Sequence, residues 1–397
     1  MKKIAILVFF TVGFFVHVWA CTGLIAGKQA TVDGSVLVTY SADSHTLYGA
    51  LTSSPAADWP KGSMRSIVEW DTNKPLGEIE QVEHTYAVMG NMNEHQLTVV
   101  ESTWGGRPEL VDTTGIIDYG SLMQLALERA KTAREAIKVM TGLVKKYGYY
   151  SSGESFTIAD PNEAWILDLI GKGPGRRGAV WVAVRIPDDC IAGHANYPRI
   201  HKIPMDDKEN CLYSPDVISF AREMGYFDGL NKDFSFARAY SPADFGALRA
   251  CDARVWSFFR KYDSTMDNYL PYVNGESAEP FPLYVKPSRK LSVQDMKEAM
   301  RDHFEDTPFD MTQDVGAGPF KVPYRFRPMS FEVDGKSYCM ERAIATQQTG
   351  FTLVGQMRNW LPDPVGGVLW FGVDDANTCV YIPMYCGCLL YTSDAAD

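Results

Sequence analysis

Through most of the chain, short apolar and β-branched runs alternate with turn signals, a pattern that predicts strands ahead of helices. Thr22 to Gly27 and Ser35 to Tyr40 are two such runs, and Asp33-Gly34 between them is a hairpin signal. Further strands are expected at Thr85 to Met89, Gln96 to Glu101, Ser155 to Asp160, Ala164 to Ile170 and Ala179 to Ile186. Toward the end come Gly350 to Val354, Gly367 to Val373 and Thr378 to Tyr385, with Asp374 to Asn377 as a turn. Helical spacing shows in three places. Asp118 or Ser121 can cap Leu122 to Ala130, and Thr132 can cap Ala133 to Tyr147, which stops at Gly148. Ser292 and Asp295 form a capping-box pattern for Val293 to Phe304.

Strands, then a helix pair, then strands again is not the alternation of a parallel βαβ sheet. It predicts an α+β fold of antiparallel sheets with helices packed outside them. No Pro/Gly/Ser linker divides the chain, and Asn274 to Pro287 reads as a loop.

The two ends stand apart from this pattern. Lys2 and Lys3 precede an apolar run, Ile4 to Val16, and Val18-Trp19-Ala20 supplies the small or apolar −3 and −1 positions of a cleavage site before Cys21. Residues 1–20 are expected to be a signal peptide, sending the protein to the periplasm or the exterior. The alternative, a transmembrane anchor, suffers from a short apolar run and no basic stop-transfer cluster. At the other end, Cys388 to Asp397 reads without mismatch as the translation of a sequencing-library transposon end, so an adapter artefact is expected there. That leaves one domain over residues 21–387, incomplete at its C-terminus.

Charge narrows the function. A net charge of −11 in 397 residues excludes a nucleic-acid groove, which needs a basic face. The eight cysteines are widely and irregularly spaced, unlike zinc sites built from C-x-x-C pairs, and the seven histidines form no ligand pattern. No metal or cofactor is expected, and an oligomer is left open. Gly171 to Gly178 looks like a phosphate cradle but lies between two strand-like runs and lacks the Ser/Thr after Gly-Lys, which makes it a hairpin loop.

Cys21 is then a nucleophile without an obvious histidine base. Cleavage after Ala20 resolves this, because the freed α-amine, with a reference pKa of ~7.7–8.0, can take the thiol proton. The thiolate can attack a carbonyl, pass through an oxyanion and form a thioester. The competing fate is lipidation of Cys21 in a surface lipoprotein with a binding role; Trp19 fits that signal poorly and no flexible tether follows.

Taken together, Cys21-Thr-Gly-Leu-Ile-Ala-Gly-Lys28, Asp33-Gly-Ser35, Ala42-Asp-Ser44, Gly90-Asn-Met-Asn-Glu94 and Glu101-Ser-Thr103 resemble the C69 family of dipeptidases, thiol enzymes of the N-terminal-nucleophile hydrolase superfamily. Gly148 to Ser155, Gly193-His-Ala-Asn-Tyr-Pro-Arg-Ile200, Trp360 to Pro364 and Gly372 to Asp375 continue the likeness. The resemblance implies a four-layer αββα sandwich with two antiparallel sheets. It also implies cleavage of dipeptides without metal or organic cofactor, with Cys21 as nucleophile. Through the more distant bile-salt hydrolases and penicillin V acylases it implies Asp43 beside the Cys21 ammonium, Asn196 at the oxyanion and Arg254 as a late site arginine. An amide acylase is therefore the neighbouring alternative. The bland readings are a strand-end carboxylate for Asp43, an Asx-turn for Asn196 and a surface pair for Arg254. One departure is plain: where many relatives carry an arginine three residues before that aspartate, this chain has Tyr40. Arg254 and Arg199 are the candidates to replace its charge.

Overall fold

The computed structural model describes residues 21–44, 47–325, 330–339 and 341–387. The expectations for the leader and for residues 388–397 lie outside the described residues. The chain enters at once into a hairpin of β1 (Thr22–Ala26) and β2 (Val36–Asp43), with Leu24 opposite Thr39. Its turn is built as Asp33-Gly34 predicts. The Asp33 carboxylate takes both the N–H and the O–H of Ser35, and Gly34 sits at φ +83°, a conformation glycine adopts without steric cost. Both strands are buried along their whole length, which is why they read as nearly continuous apolar runs.

Beyond the hairpin come β3 (Thr98–Trp104), α1 (Tyr119–Arg129), α2 (Ala133–Tyr147), β4 (Gly153–Ala159), β5 (Ala164–Gly171), β6 (Ala179–Ile186) and β7 (Ile191–His194). The later elements are α3 (Ala253–Arg260), α4 (Val293–Ala299), β8 (Thr349–Met357) and β9 (Val368–Val373). Seven strands form one sheet in the order Tyr284–Val285, β7, β1, β2, β8, β9, Ile382–Met384. Eight form the other, in the order Cys211–Tyr213, β6, β5, β4, β3, Met92–Asn93, Val88–Met89, Ser53–Ser54. Neighbours pair antiparallel throughout both sheets.

Strand alternation sorts the side chains into three cores. Ile25, Val36, Val38 and Tyr40 pack between the sheets against Val100, Ile166 and Val182. Leu24, Ala26 and Leu37, on the opposite face, pack against Val255, Trp256 and Phe258 of α3 and Met296 of α4. Phe156, Ile158, Trp165 and Leu167 of the second sheet carry Leu122, Leu125, Ile137 and Met140 of α1 and α2. Helices thus cover the outer face of each sheet, and the fold is an αββα sandwich. No helix among the described residues is long and apolar enough to cross a membrane.

Caps hold where they are predicted. Asp118 accepts from Ser121 N, Thr132 from Glu135 N, and Ser292 and Asp295 cap reciprocally. The strand expected at Thr85 to Met89 splits into His84–Thr85 and Val88–Met89 in different sheets, because the Tyr86 N–H between them bonds to the Glu128 carbonyl, and two further elements shorten. α4 ends at Ala299, with Phe304 already at φ +63°. The strand expected at Thr378 to Tyr385 survives only as Ile382–Met384, because the Asp375 carbonyl captures the N–H groups of both Thr378 and Cys379 in a turn. Gly171 to Gly178 joins β5 to β6 as a hairpin loop, and its Arg176 pairs with the exposed Glu223 and touches Met224 Sδ.

Candidate active site

Cys21 heads β1 on the strand face that points between the sheets, the face it shares with Ile25. Its main chain is clamped by Arg254, the second residue of α3. Arg254 Nη1 donates to the Cys21 carbonyl (2.9 Å) and to Thr22 Oγ1 (2.7 Å). Nη2 donates to the Ala195 carbonyl (3.1 Å) and to Asn196 Oδ1 (2.7 Å), and Nε to the Ala250 carbonyl (2.8 Å). Arg254 is fully buried, so the surface-pair reading fails. Burial, and then Arg342 nearby, lower its pKa to about 10.

Asn196 completes that arrangement from φ +58°. Its N–H donates to Ser102 Oγ (3.2 Å) and its Nδ2 to the Thr103 carbonyl (2.5 Å). Asp43 closes β2 next to the Cys21 thiol, and it is no exposed strand-end carboxylate. Arg342 Nη2 donates to Oδ2 at 2.6 Å, Ser41 Oγ to the same oxygen at 3.1 Å, and Thr349 Oγ1 to Oδ1 at 2.7 Å.

The thiol faces a partly open cleft. Cys21, Tyr40, Asp43, Glu101, Asp71 and Tyr119 all line it. Apolar walls include Phe351 and Phe371, stacked at 5.4 Å. Among the described residues, no Lys, Arg or His lines this cleft; Arg254 and Asn196 stand behind Cys21, on its main-chain side. Burial, then the charges of Glu101 and Asp43, push the thiol well above its usual range, opposed by the Asp43 amide and the Tyr40 hydroxyl. In this environment the thiol keeps its proton at neutral pH.

Tyr40 occupies the place of the expected arginine. Its hydroxyl lies 3.7 Å from Cys21 Sγ and donates to Glu101 Oε1 at 2.5 Å, bridging the two sheets. Glu101 in turn neighbours Glu154 of β4, and Thr103 Oγ1 reaches both carboxylates (2.7 Å to Glu154, 3.5 Å to Glu101). Burial raises the pKa of both acids. The charge that Arg199 was a candidate to supply is not delivered to the thiol: Arg199 pairs with Asp252 (3.0 Å) and stacks on Phe281. His194 is no base. It is buried between Ser102 Oγ (2.6 Å) and Thr157 Oγ1 (2.8 Å), and burial lowers its pKa to about 3.

Sequence reasoning assigned no role to Glu101, Glu154 or Arg342. The first two lie inside stretches that carry the family likeness. Arg342 meets Asp43 across 299 residues, a distance over which no local signal reaches.

The sequence profile of peptidase family C69 matches residues 20–395. A probable dipeptidase of Salmonella dublin is 27% identical over 93% of this chain and 81% of its own length. A probable dipeptidase of Latilactobacillus sakei is 25% identical over 92% of this chain and 74% of its own. Dipeptidase A of Lactobacillus helveticus is 25% identical over 92% and 75%. With the profile spanning nearly the whole chain and the sandwich in place around Cys21, the chain belongs to peptidase family C69 and is a peptide-bond hydrolase.

Proposed function

We propose that this protein is an exported dipeptidase whose nucleophile is Cys21, unmasked as the N-terminal residue when residues 1–20 are removed. The observation that carries the reading is the placement of Cys21: its carbonyl is fixed by Arg254 while its thiol faces the cleft beside Asp43. A fixed nucleophile supplies the orientation that a free terminus would lack. Removal of the leader turns the Cys21 amide into an amine, which takes the thiol proton as the sulfur attacks the scissile carbonyl. The C–N bond then breaks as the ammonium returns a proton to the leaving amine, and water hydrolyses the thioester. Asp43 holds the ammonium, Arg254 positions the cysteine, and Asn196 serves the oxyanion by turning Nδ2 away from the Thr103 carbonyl.

The test sets the mature protein on a panel of dipeptides beside Cys21→Ala. Turnover lost with the thiol is expected; equal rates overturn the proposal. The stacked Phe351 and Phe371 favour one second reading, an acylase for apolar acyl amides such as conjugated bile acids or penicillin V. Turnover of those compounds with none of dipeptides establishes it. Intact mass of the mature chain should show an unmodified Cys21 at the N-terminus; a lipidated Cys21 overturns both.

A further inference from the structure

The seat of Cys21 holds more acid than its chemistry calls for. Glu101 and Glu154, both buried, stand side by side beneath the thiol, and two adjacent buried carboxylates cannot both stay ionised. Hydrogen bonding shows which one carries the proton. Glu101 accepts from the Tyr40 hydroxyl, as an ionised carboxylate does. Glu154 Oε1 accepts from Thr103, whereas its buried Oε2 has no hydrogen-bond partner as an acceptor. Such an atom is satisfied if it bears a proton and donates it to Glu101. The titratable groups that act on the pair include Cys21 and Tyr40 from the first sheet, Asp71 and Tyr119 of the cleft lining, and Tyr149, itself close to Asp118. None is a cation.

We propose that Tyr40, Glu101 and Glu154 form a positioning relay beneath Cys21, in which one proton held by the carboxyl pair lets the Tyr40 hydroxyl turn from Glu101 to the thiolate. As the thiol loses its proton, the Tyr40 hydroxyl hydrogen rotates from Glu101 toward the sulfur, which lies 3.7 Å from the hydroxyl oxygen, and Glu154 passes its proton to Glu101. The pair keeps one negative charge throughout, and the thiolate gains a neutral hydroxyl donor beside whatever charge the Cys21 amine carries. Tyr40 and the acid pair thereby do the work expected of the missing arginine. The bearing of the relay on peptide hydrolysis rests on the proposed nucleophilic role of Cys21; its effect on the thiol does not.

The experiment follows alkylation of Cys21 by iodoacetamide against pH in the full chain, resolved peptide by peptide by mass spectrometry. The relay predicts opposite signs for its two acids. Glu101→Gln removes the charge beneath the sulfur and moves the alkylation profile to lower pH by about one unit, a tenfold faster reaction at fixed pH. Glu154→Gln fixes the charge on Glu101 with no proton to pass, keeps Tyr40 bound there, and moves the profile upward by a similar amount. Tyr40→Phe, which preserves the ring packed on Phe351, also moves it upward. Thermal unfolding of each variant identifies any that fails to fold, and the Tyr40→Phe arm stands without the other two. Shifts of the same sign for the two glutamate variants, or an unmoved profile in Tyr40→Phe, overturn the relay. Loss of dipeptide turnover in wild type with these shifts intact would sink the dipeptidase reading and leave the relay standing.

Discussion

Arg254 shows how much one side chain decides at this site. Its guanidinium spans the Cys21 carbonyl, Thr22, the 195–196 turn and its own helix, a planar fork that the single ammonium of lysine cannot reproduce. Arg254→Lys is expected to lower kcat/KM by about 10²-fold, since a misplacement of about 1 Å at a reacting group has that effect. It should also destabilise by about 3 kcal/mol, the scale of a buried polar network broken from one side. Asn196→Asp separates two roles. An oxyanion donor lost costs about 10²–10³ in kcat, whereas a purely structural residue, keeping its Oδ for Arg254 and losing only the Nδ2 donation to the Thr103 carbonyl, would lose stability with little change in kcat. Steady-state kinetics of the pair on one dipeptide checks both expectations; a silent Asn196→Asp removes the oxyanion role.

Elements bring those residues together, and they differ in how far they were legible. α2 matched its predicted bounds because Thr132, the apolar face and Gly148 are all local signals. β6 did so because its valine-rich apolar run is broken only by Arg185. α3, which carries Arg254, was not predicted. Seven of its eight residues are buried, Arg254 and Ser257 among them, so its polar positions do not mark a solvent face, and a wider π turn at Ala247–Asp252 precedes it. The same contrast runs through the site. Cys21 was singled out by the cleavage site expected before it and Asp43 by the family pattern, but the Tyr40–Glu101 contact joins two sheets and exists only after they stack. β1 itself is seated by such a contact. A Cβ on Gly23 would come within 2.8 Å of His194 Nε2, on a ring held between Ser102 and Thr157. Gly23→Ala is therefore expected to cost about 1–3 kcal/mol, as overpacking does, and to lower activity by shifting Cys21. An unchanged thermal midpoint would show that the ring gives way freely.

On the scale of the whole molecule, the two sheets are joined through buried polar groups whose charge states oppose each other in acid. His194 of β7 bonds to β3 and β4 of the facing sheet. Asp168 of β5 takes the Ser155 hydroxyl (2.6 Å) and the Ile200 N–H (3.0 Å), tying the turn that carries Asn196 to the second sheet. Burial lowers the pKa of His194 to about 3 and raises that of Asp168 to about 6. Between about pH 6.5 and 3 the unfolded histidine binds a proton that the folded one refuses, so its contribution to stability falls as pH falls, by about 1.4 kcal/mol per unit. Asp168 runs the other way. Between about pH 6 and 4 the folded protein binds the proton and the unfolded chain does not, so acidification favours the fold through this group. Global acid sensitivity therefore sums opposing terms, and each is isolated by difference. The stability of wild type relative to His194→Gln should decline from pH 6.5 downward and stay flat above it. Relative to Asp168→Asn it should climb from pH 6 to 4. Denaturant unfolding across that range measures both slopes, and slopes of the same sign would mean that one of the two groups is not buried as described.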